Sequence, residues 1–289
     1  MKDHIDYREI LTRNGFSFSK GLGQNFLISP LIPSRMAHSC GADGDSFVLE
    51  VGPGAGVLTR ELSAVARRVV ALEIDRRLFP VLKETLADRE NCTVLHADVL
   101  KADITKIVDE YGENLPAYCC ANLPYYITSP ALVRLIECHC FSAITVMVQK
   151  EVARKLCASP GDPDYGSLTV FVQFYGSPRI LFDVPAGCFY PTPKVDSAAF
   201  RIDLYAQPPV CPINEKLFFD TVHAAFSMRR KTLRNCINRG FSDRMPKEKI
   251  AEAFIASGID PGRRGETLTL AEFALLSDAL CERLNADSK

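Results

Sequence analysis

Between residues 47 and 202 the chain alternates short, mostly apolar runs with stretches whose apolar residues recur at helical spacing, and no other feature restricts its fold so much. The runs at 47–51, 69–73, 93–96, 118–121 and 143–148 read as strands buried on both faces, because they lack the polar alternation of a half-solvated sheet. Val57, Leu58, Leu62 and Val65 share one helical face between the first two runs. Leu132, Val133 and Ile136 do the same between the last two. Such alternation predicts a doubly wound, Rossmann-like α/β sheet. Residues 179–182 and 198–204 read as a late antiparallel hairpin, bridged by a proline-rich stretch at 185–193.

The pattern changes at Gln207-Pro208-Pro209, with Pro212 just beyond, and this is the expected domain boundary. Residues 1–206 are expected to form the sheet domain and 207–289 a small all-α domain. Its helices are expected at 215–238, 247–257 and 270–284. Thr269 and Glu272 have the spacing of a capping box at the start of the last one.

Composition narrows the setting. Lysine and arginine total 34 against 35 acidic residues, so a nucleic-acid partner would have to be met by a local basic patch. The eleven cysteines are scattered without a C-x-x-C pair, which reads as reduced thiols and no metal site. Residues 1–10 mix both charge signs and do not read as a signal peptide. No apolar run approaches the ~20 residues of a membrane span. A cytoplasmic, non-membrane protein is expected, and nothing in the sequence calls for an obligate dimer.

Leu49-Glu50-Val51-Gly52-Pro53-Gly54-Ala55-Gly56 falls where the first strand turns into the first helix. Glycines there permit close approach of backbone to a ligand, although such a turn also occurs for purely structural reasons. The G-x-G-x-G spacing fits the dinucleotide fingerprint G-x-G-x-x-G poorly, which disfavours a dinucleotide-dependent oxidoreductase. Glu73, about twenty residues on, ends the second strand and suits acceptance of two ribose hydroxyls. Asp75 competes for that role but reads better as a helix cap. Asp98, followed by Val99, ends the third strand and suits either an adenine amino group or a turn. Glycine turn, Glu73 and Asp98 together predict a nucleoside-containing cofactor at the carboxyl ends of consecutive strands.

The fourth strand ends in Asn122-Leu123-Pro124-Tyr125. An adenine N6 lone pair is delocalised into the ring, so a methylating site must accept hydrogen bonds from the amino hydrogens to free it. The Asn122 side-chain oxygen suits one hydrogen, and a backbone carbonyl of Leu123 or Pro124 suits the other. Tyr125 offers a face for a flipped-out base, and Tyr126 reads as packing. A sulfonium methyl donor needs no general base before attack, so the expected reaction is in-line transfer governed by positioning.

These segments, with Gly23-Gln24-Asn25-Phe26-Leu27, Gln149-Lys150-Glu151-Val152-Ala153 and the run from Phe189 to Ser197, resemble the 16S rRNA adenine dimethyltransferases, the kasugamycin-sensitivity enzymes. The resemblance runs nearly end to end. It implies S-adenosylmethionine held by Gln24, Asn25, Leu27, Gly52, Gly54, Gly56, Glu73, Asp98, Val99 and Asn122. It also implies dimethylation of two adjacent adenosines near the 3′ end of small-subunit rRNA, with Phe189 holding the target base opposite Tyr125. Met228 stands where the family usually has glutamine, away from the chemical positions.

Arg229, Arg230, Lys231, Arg234 and Arg239 form a run with no acid between Asp220 and Asp243. Read on a helix beside an RNA-modifying domain, the first four are the expected phosphate contacts. Arg263-Arg264 is a weaker candidate. Two rival functions stay open at this stage: a 23S rRNA adenine methyltransferase of the macrolide-resistance type, and a ribosome-assembly factor that mainly binds.

Overall fold

The computed structural model describes residues 5–16 and 25–285. Gln24, one of the expected cofactor contacts, lies outside them. The chain divides into two compact units: one contains the chain up to Ala153 and Pro178–Leu204, the other Arg154–Ser177 and the chain from Tyr205 onward.

The first unit is built on β1 (Phe26–Leu27), β2 (Phe47–Val51), β3 (Arg68–Glu73), β4 (Cys92–His96), β5 (Ala117–Asn122), β6 (Ala143–Gln149), β7 (Gly176–Val184), β8 (Phe189–Tyr190) and β9 (Ser197–Leu204). Seven of these strands make one sheet in the order β4-β3-β2-β5-β6-β9-β7. Neighbouring pairs from β4 to β6 are parallel, and β9 runs antiparallel to β6. The strand order turns outward on both sides of the β2–β5 pair, which is the switch point where open α/β sheets bind ligands. The five expected strands are all present, within two residues at each end. One expectation needs correcting: β4 is half exposed, because as an edge strand it has a neighbour on one side only. The two late segments lie side by side as expected, with β7 longer at its start.

Helices Val57–Val65 and Thr128–Glu137 pack their apolar faces onto the sheet, burying Leu58 and Leu62 in the first and Leu132, Leu135 and Ile136 in the second. A continuous apolar cluster joins Met36, Val48, Leu62, Val69, Cys120, Met147 and Phe189. Cys119 and Cys120 sit mid-sheet without solvent contact, where burial and, at Cys120, the hydrogen-bonded Cys40 thiol push the thiols well above their usual titration range.

In the second unit, helices Ser167–Tyr175, Glu215–Phe226, Leu233–Gly240, Lys247–Ser257 and Leu270–Asn285 enclose Phe174, Phe218, Phe241, Phe254 and Phe273. The boundary expected at 206 therefore misses an earlier excursion. Helix Ser167–Tyr175 carries apolar residues on more than one face, and its Phe174 ring packs 5.0 Å from Phe218, so it belongs with the helices. The helix expected over 215–238 is also two helices. It stops at Phe226, where the Ser227 hydroxyl donates to the Ala224 carbonyl at 2.7 Å, and it restarts after Thr232. The two pieces pack so closely that a Cβ on Gly240 would lie 2.5 Å from the Ala224 Cβ. The Thr269–Glu272 capping box is present in both directions, and Arg263 on Glu272 holds that carboxyl down to about 2.

Phe174→Ala should lower stability by about 3–5 kcal/mol, because a buried aromatic is lost from a closed cluster. Chemical denaturation followed by circular dichroism checks this. An effect under about 1 kcal/mol would show that the Arg154–Ser177 excursion contributes little to the helical core.

Candidate cofactor and substrate site

A cavity of about 220 Å³ opens at the carboxyl ends of the parallel strands in the first unit. Asn25, Leu27, Gly52, Gly54, Glu73, Asp98, Val99, Asn122, Leu123, Pro124 and Tyr125 all line it. The folding reason is direct. β2 pairs with β3 and β5 in parallel register, so the loops after all three strands emerge on the same edge.

Gly52 and Gly54 both adopt positive φ, +71° and +58°, a region that side chains avoid. A Cβ on Gly54 would lie 2.8 Å from the Phe26 ring. The bare backbone lets the Gly54 N–H point to Glu73 Oε2 at 3.4 Å. Gly56 has a different job from the one expected of it. It does not line the cavity; it starts helix Val57–Val65, and a Cβ there would meet Thr85 Oγ1 at 2.9 Å. The third glycine thus allows close packing between elements, as in other glycine-rich strand-to-helix turns.

Glu73 is buried, and its Oε1 accepts the Asp75 N–H at 2.7 Å. Burial raises its pKa, opposed by the N–H groups of Asp75 and Gly54. Asp75 is committed to the following turn, accepting the Arg77 N–H at 3.1 Å and pairing with the Arg77 guanidinium. Asp98 Oδ1 accepts the Leu100 N–H at 3.0 Å, as the turn reading has it, and the residue also forms part of the cavity wall.

The tetrapeptide is held from three sides. Asn122 Nδ2 donates to the Asn25 carbonyl at 3.2 Å, which turns Oδ1, on the opposite side of the planar amide, away from Asn25. The Pro124 carbonyl accepts the Ile127 N–H at 3.1 Å and the Thr128 hydroxyl at 3.4 Å. Of the two carbonyls considered, Leu123 is therefore the better placed to accept a substrate hydrogen. The Tyr125 hydroxyl bonds Ser197 Oγ at 2.7 Å, and burial raises its pKa.

Phe189 departs from expectation. It pairs with Leu27 in the short β1–β8 ladder and is 1% exposed, within the apolar cluster of Leu27, Met36 and Val184. Strand alternation turns Phe189 inward and Tyr190 outward, so Phe189 does not line the cavity. The basic run is also relocated. Arg229, Arg230 and Lys231 lie in the turn between two helices, and Arg234 lies in the first turn of the next helix; all four are exposed. Arg229 donates to the Pro163 carbonyl at 2.8 Å.

Three residues were overlooked by reasoning confined to strand ends and motifs. Phe26 closes over Gly54, and Ser197 orients Tyr125. Glu50, the one acid within the apolar run of β2, lines the cavity at 1% exposure with Oε2 lacking a hydrogen-bond partner. Burial pushes Glu50 up to about 8, opposed by Thr59 and reinforced by the charge of Glu73.

Among the described residues no cluster of three ligating side chains suits a metal. The glycine cradle and the acids at the ends of β3 and β4 suit a nucleoside-containing cofactor, and the orphaned Glu50 oxygen leaves a polar atom on the same wall. Fold and cavity together define a Rossmann-like methyltransferase. The ribosomal RNA adenine dimethylase model matches residues 15–280. The ribosomal RNA small subunit methyltransferase A of Geobacillus thermodenitrificans is 47% identical, over 94% of each chain. Its counterpart in Clostridium perfringens is 44% identical over 97% of each chain. Among solved structures, a dimethyladenosine transferase from Plasmodium falciparum superposes with a TM-score of 0.74 at 25% identity, covering 87% of this chain and 95% of that one. The 23S rRNA methyltransferase ErmE superposes with a TM-score of 0.67 at 29% identity, covering 89% and 100%. The chain belongs to the ribosomal RNA adenine dimethylase family.

Glu50 gives a test of the cavity's electrostatics. A carboxyl raised from 4.5 to about 8 by folding costs nothing while both states are protonated. The penalty grows as pH rises past 4.5 and levels off above about 8. The thermal-unfolding advantage of Glu50→Gln over the parent should therefore widen between pH 5 and 8 and stay constant above 9. A constant difference across that range would mean that Glu50 titrates normally.

Proposed function

We propose that this chain uses S-adenosylmethionine to dimethylate N6 of two adjacent adenosines near the 3′ end of 16S rRNA in the small ribosomal subunit. It would act in the cytoplasm as a monomer, without a metal ion. The observation that carries this reading is the bond from Asn122 Nδ2 to the Asn25 carbonyl, which commits the amide orientation before any substrate arrives.

S-adenosylmethionine, when bound, supplies a methyl group already activated on a sulfonium, so no side chain has to remove a proton before attack. Glu73 accepts from the ribose hydroxyls, Asp98 from the cofactor's adenine amino group, and Gly52 and Gly54 leave room for close backbone approach. Asn25, Leu27 and Val99 complete the wall. Asn122 Oδ1 and the Leu123 carbonyl accept the two N6 hydrogens of the target base, and this draws the nitrogen towards tetrahedral geometry and frees its lone pair. Tyr125, steadied through Ser197, provides one stacking face. Pro124 stiffens the turn that aims the Leu123 carbonyl. Arg229, Arg230, Lys231 and Arg234 hold phosphates and so set register on the RNA. Arg234 supports that role, since a cation in the first turn of a helix is disfavoured by the dipole unless an external anion compensates.

Asn122→Ala should reduce methyl transfer by about 100-fold or more while leaving subunit binding nearly unchanged. Tritium transfer to small subunits from a strain lacking its own dimethylase, beside filter binding, checks this. Substantial residual dimethylation would remove Asn122 from the chemistry. Primer extension on both rRNAs decides between this target and 23S rRNA. Replacing Arg229, Arg230 and Lys231 together by alanine should weaken subunit binding and flatten the plot of log affinity against log salt by about 2. An unchanged slope would place the phosphate contacts elsewhere.

A further inference from the structure

Tyr126 is 57% exposed and lines the same cavity as Asn122 and Tyr125. Among the described residues no hydrogen bond, ion pair or ring contact holds it, whereas its neighbour Tyr125 is half-buried and tied to Ser197. A large aromatic side chain left in water at the mouth of a cavity exposes apolar area that a ligand can cover. The two tyrosines fall in one 3₁₀ turn, Tyr125–Ile127. With three residues per turn, successive side chains point about 120° apart. The two rings therefore leave the turn in different directions.

The substrate of this site is a polynucleotide. A nucleotide drawn into the cavity brings its chain neighbour to the cavity mouth and deprives that neighbour of a stacking partner. An exposed ring at the mouth restores one without reading sequence, since every base has a stackable face. We propose that Tyr126 is the platform for the base beside the target adenine. It is a positioning residue that holds the strand while Asn122 and Leu123 engage the amino group. This rests on the adenine-methylating reading of the cavity and adds a second nucleotide subsite to it.

The chain contains no tryptophan, so Tyr126→Trp introduces a single fluorescent reporter at the subsite. Its emission should be quenched on adding immature small subunits and unchanged on adding S-adenosylmethionine alone. In steady-state methylation of those subunits, Tyr126→Phe should behave as the parent. Tyr126→Leu and Tyr126→Ala should raise KM for the subunit about 10-fold, with kcat and cofactor affinity little changed. Tyr205→Ala, an exposed tyrosine outside the cavity, should match the parent. Unfolding curves confirm that each variant is folded. If Tyr126→Leu matches Tyr126→Phe, if the loss lies in cofactor affinity, or if the tryptophan reports the cofactor and not the RNA, the proposal is overturned. Asn122→Ala run in parallel separates the two levels. Inactive Asn122→Ala with unaffected Tyr126→Ala sinks the subsite alone, and active Asn122→Ala sinks the reading of the cavity.

Discussion

The parallel pairing of β2 with β5 is the constraint on which the site depends. Val51 stands opposite Ala121 in that register, so Gly52 and Asn122 leave the sheet side by side. The glycine turn and the Asn122 amide are thus brought together by backbone hydrogen bonds between strands far apart in sequence. A slip of one residue would move every side chain of β5 to the opposite face of the sheet. Wholly buried, apolar neighbours on both faces make such a slip costly, which ties the geometry of the chemistry to the burial of Leu49, Cys119 and Ala121.

Much of this was legible in the sequence because it rests on local chemistry. Buried strands have a distinctive apolar run, and glycines at a strand end mark a turn that excludes Cβ. Both signals located the sheet and the cavity wall. The misreadings have a common cause. The helix break at Ser227, the inward turn of Phe189 and the membership of Arg154–Ser177 in the helical core are all decided by contacts across the fold. Residues 227–232 carry no proline or glycine to mark a break, and the close approach of Gly240 to Ala224 that accompanies the turn lies outside the local sequence. Phe189 has the residue type of a base-stacking side chain, but its direction follows from the β1–β8 pairing.

Glu50 illustrates a different limit. An acid in the middle of a strand looks like a blemish in an apolar run, and its meaning depends on what lies opposite. Here it lines the same cavity as Glu73, and burial, reinforced by that neighbouring acid, favours its protonated form. A cation in the cavity would oppose that shift, and a neutral ligand of the same shape would not.

The excursion of Arg154–Ser177 bears on how the protein is made. The chain passes between units at Ala153/Arg154, again at Ser177/Pro178 and once more at Leu204/Tyr205. The sheet cannot be finished as it emerges from a ribosome, since β9, which covers the free edge of β6, follows the helix that belongs to the other core. Until β9 arrives, that edge of β6 stays open for pairing with another chain. Assembly of the two cores is thereby interleaved in time, and the last strands of the sheet are synthesised only after the first pieces of the helical core.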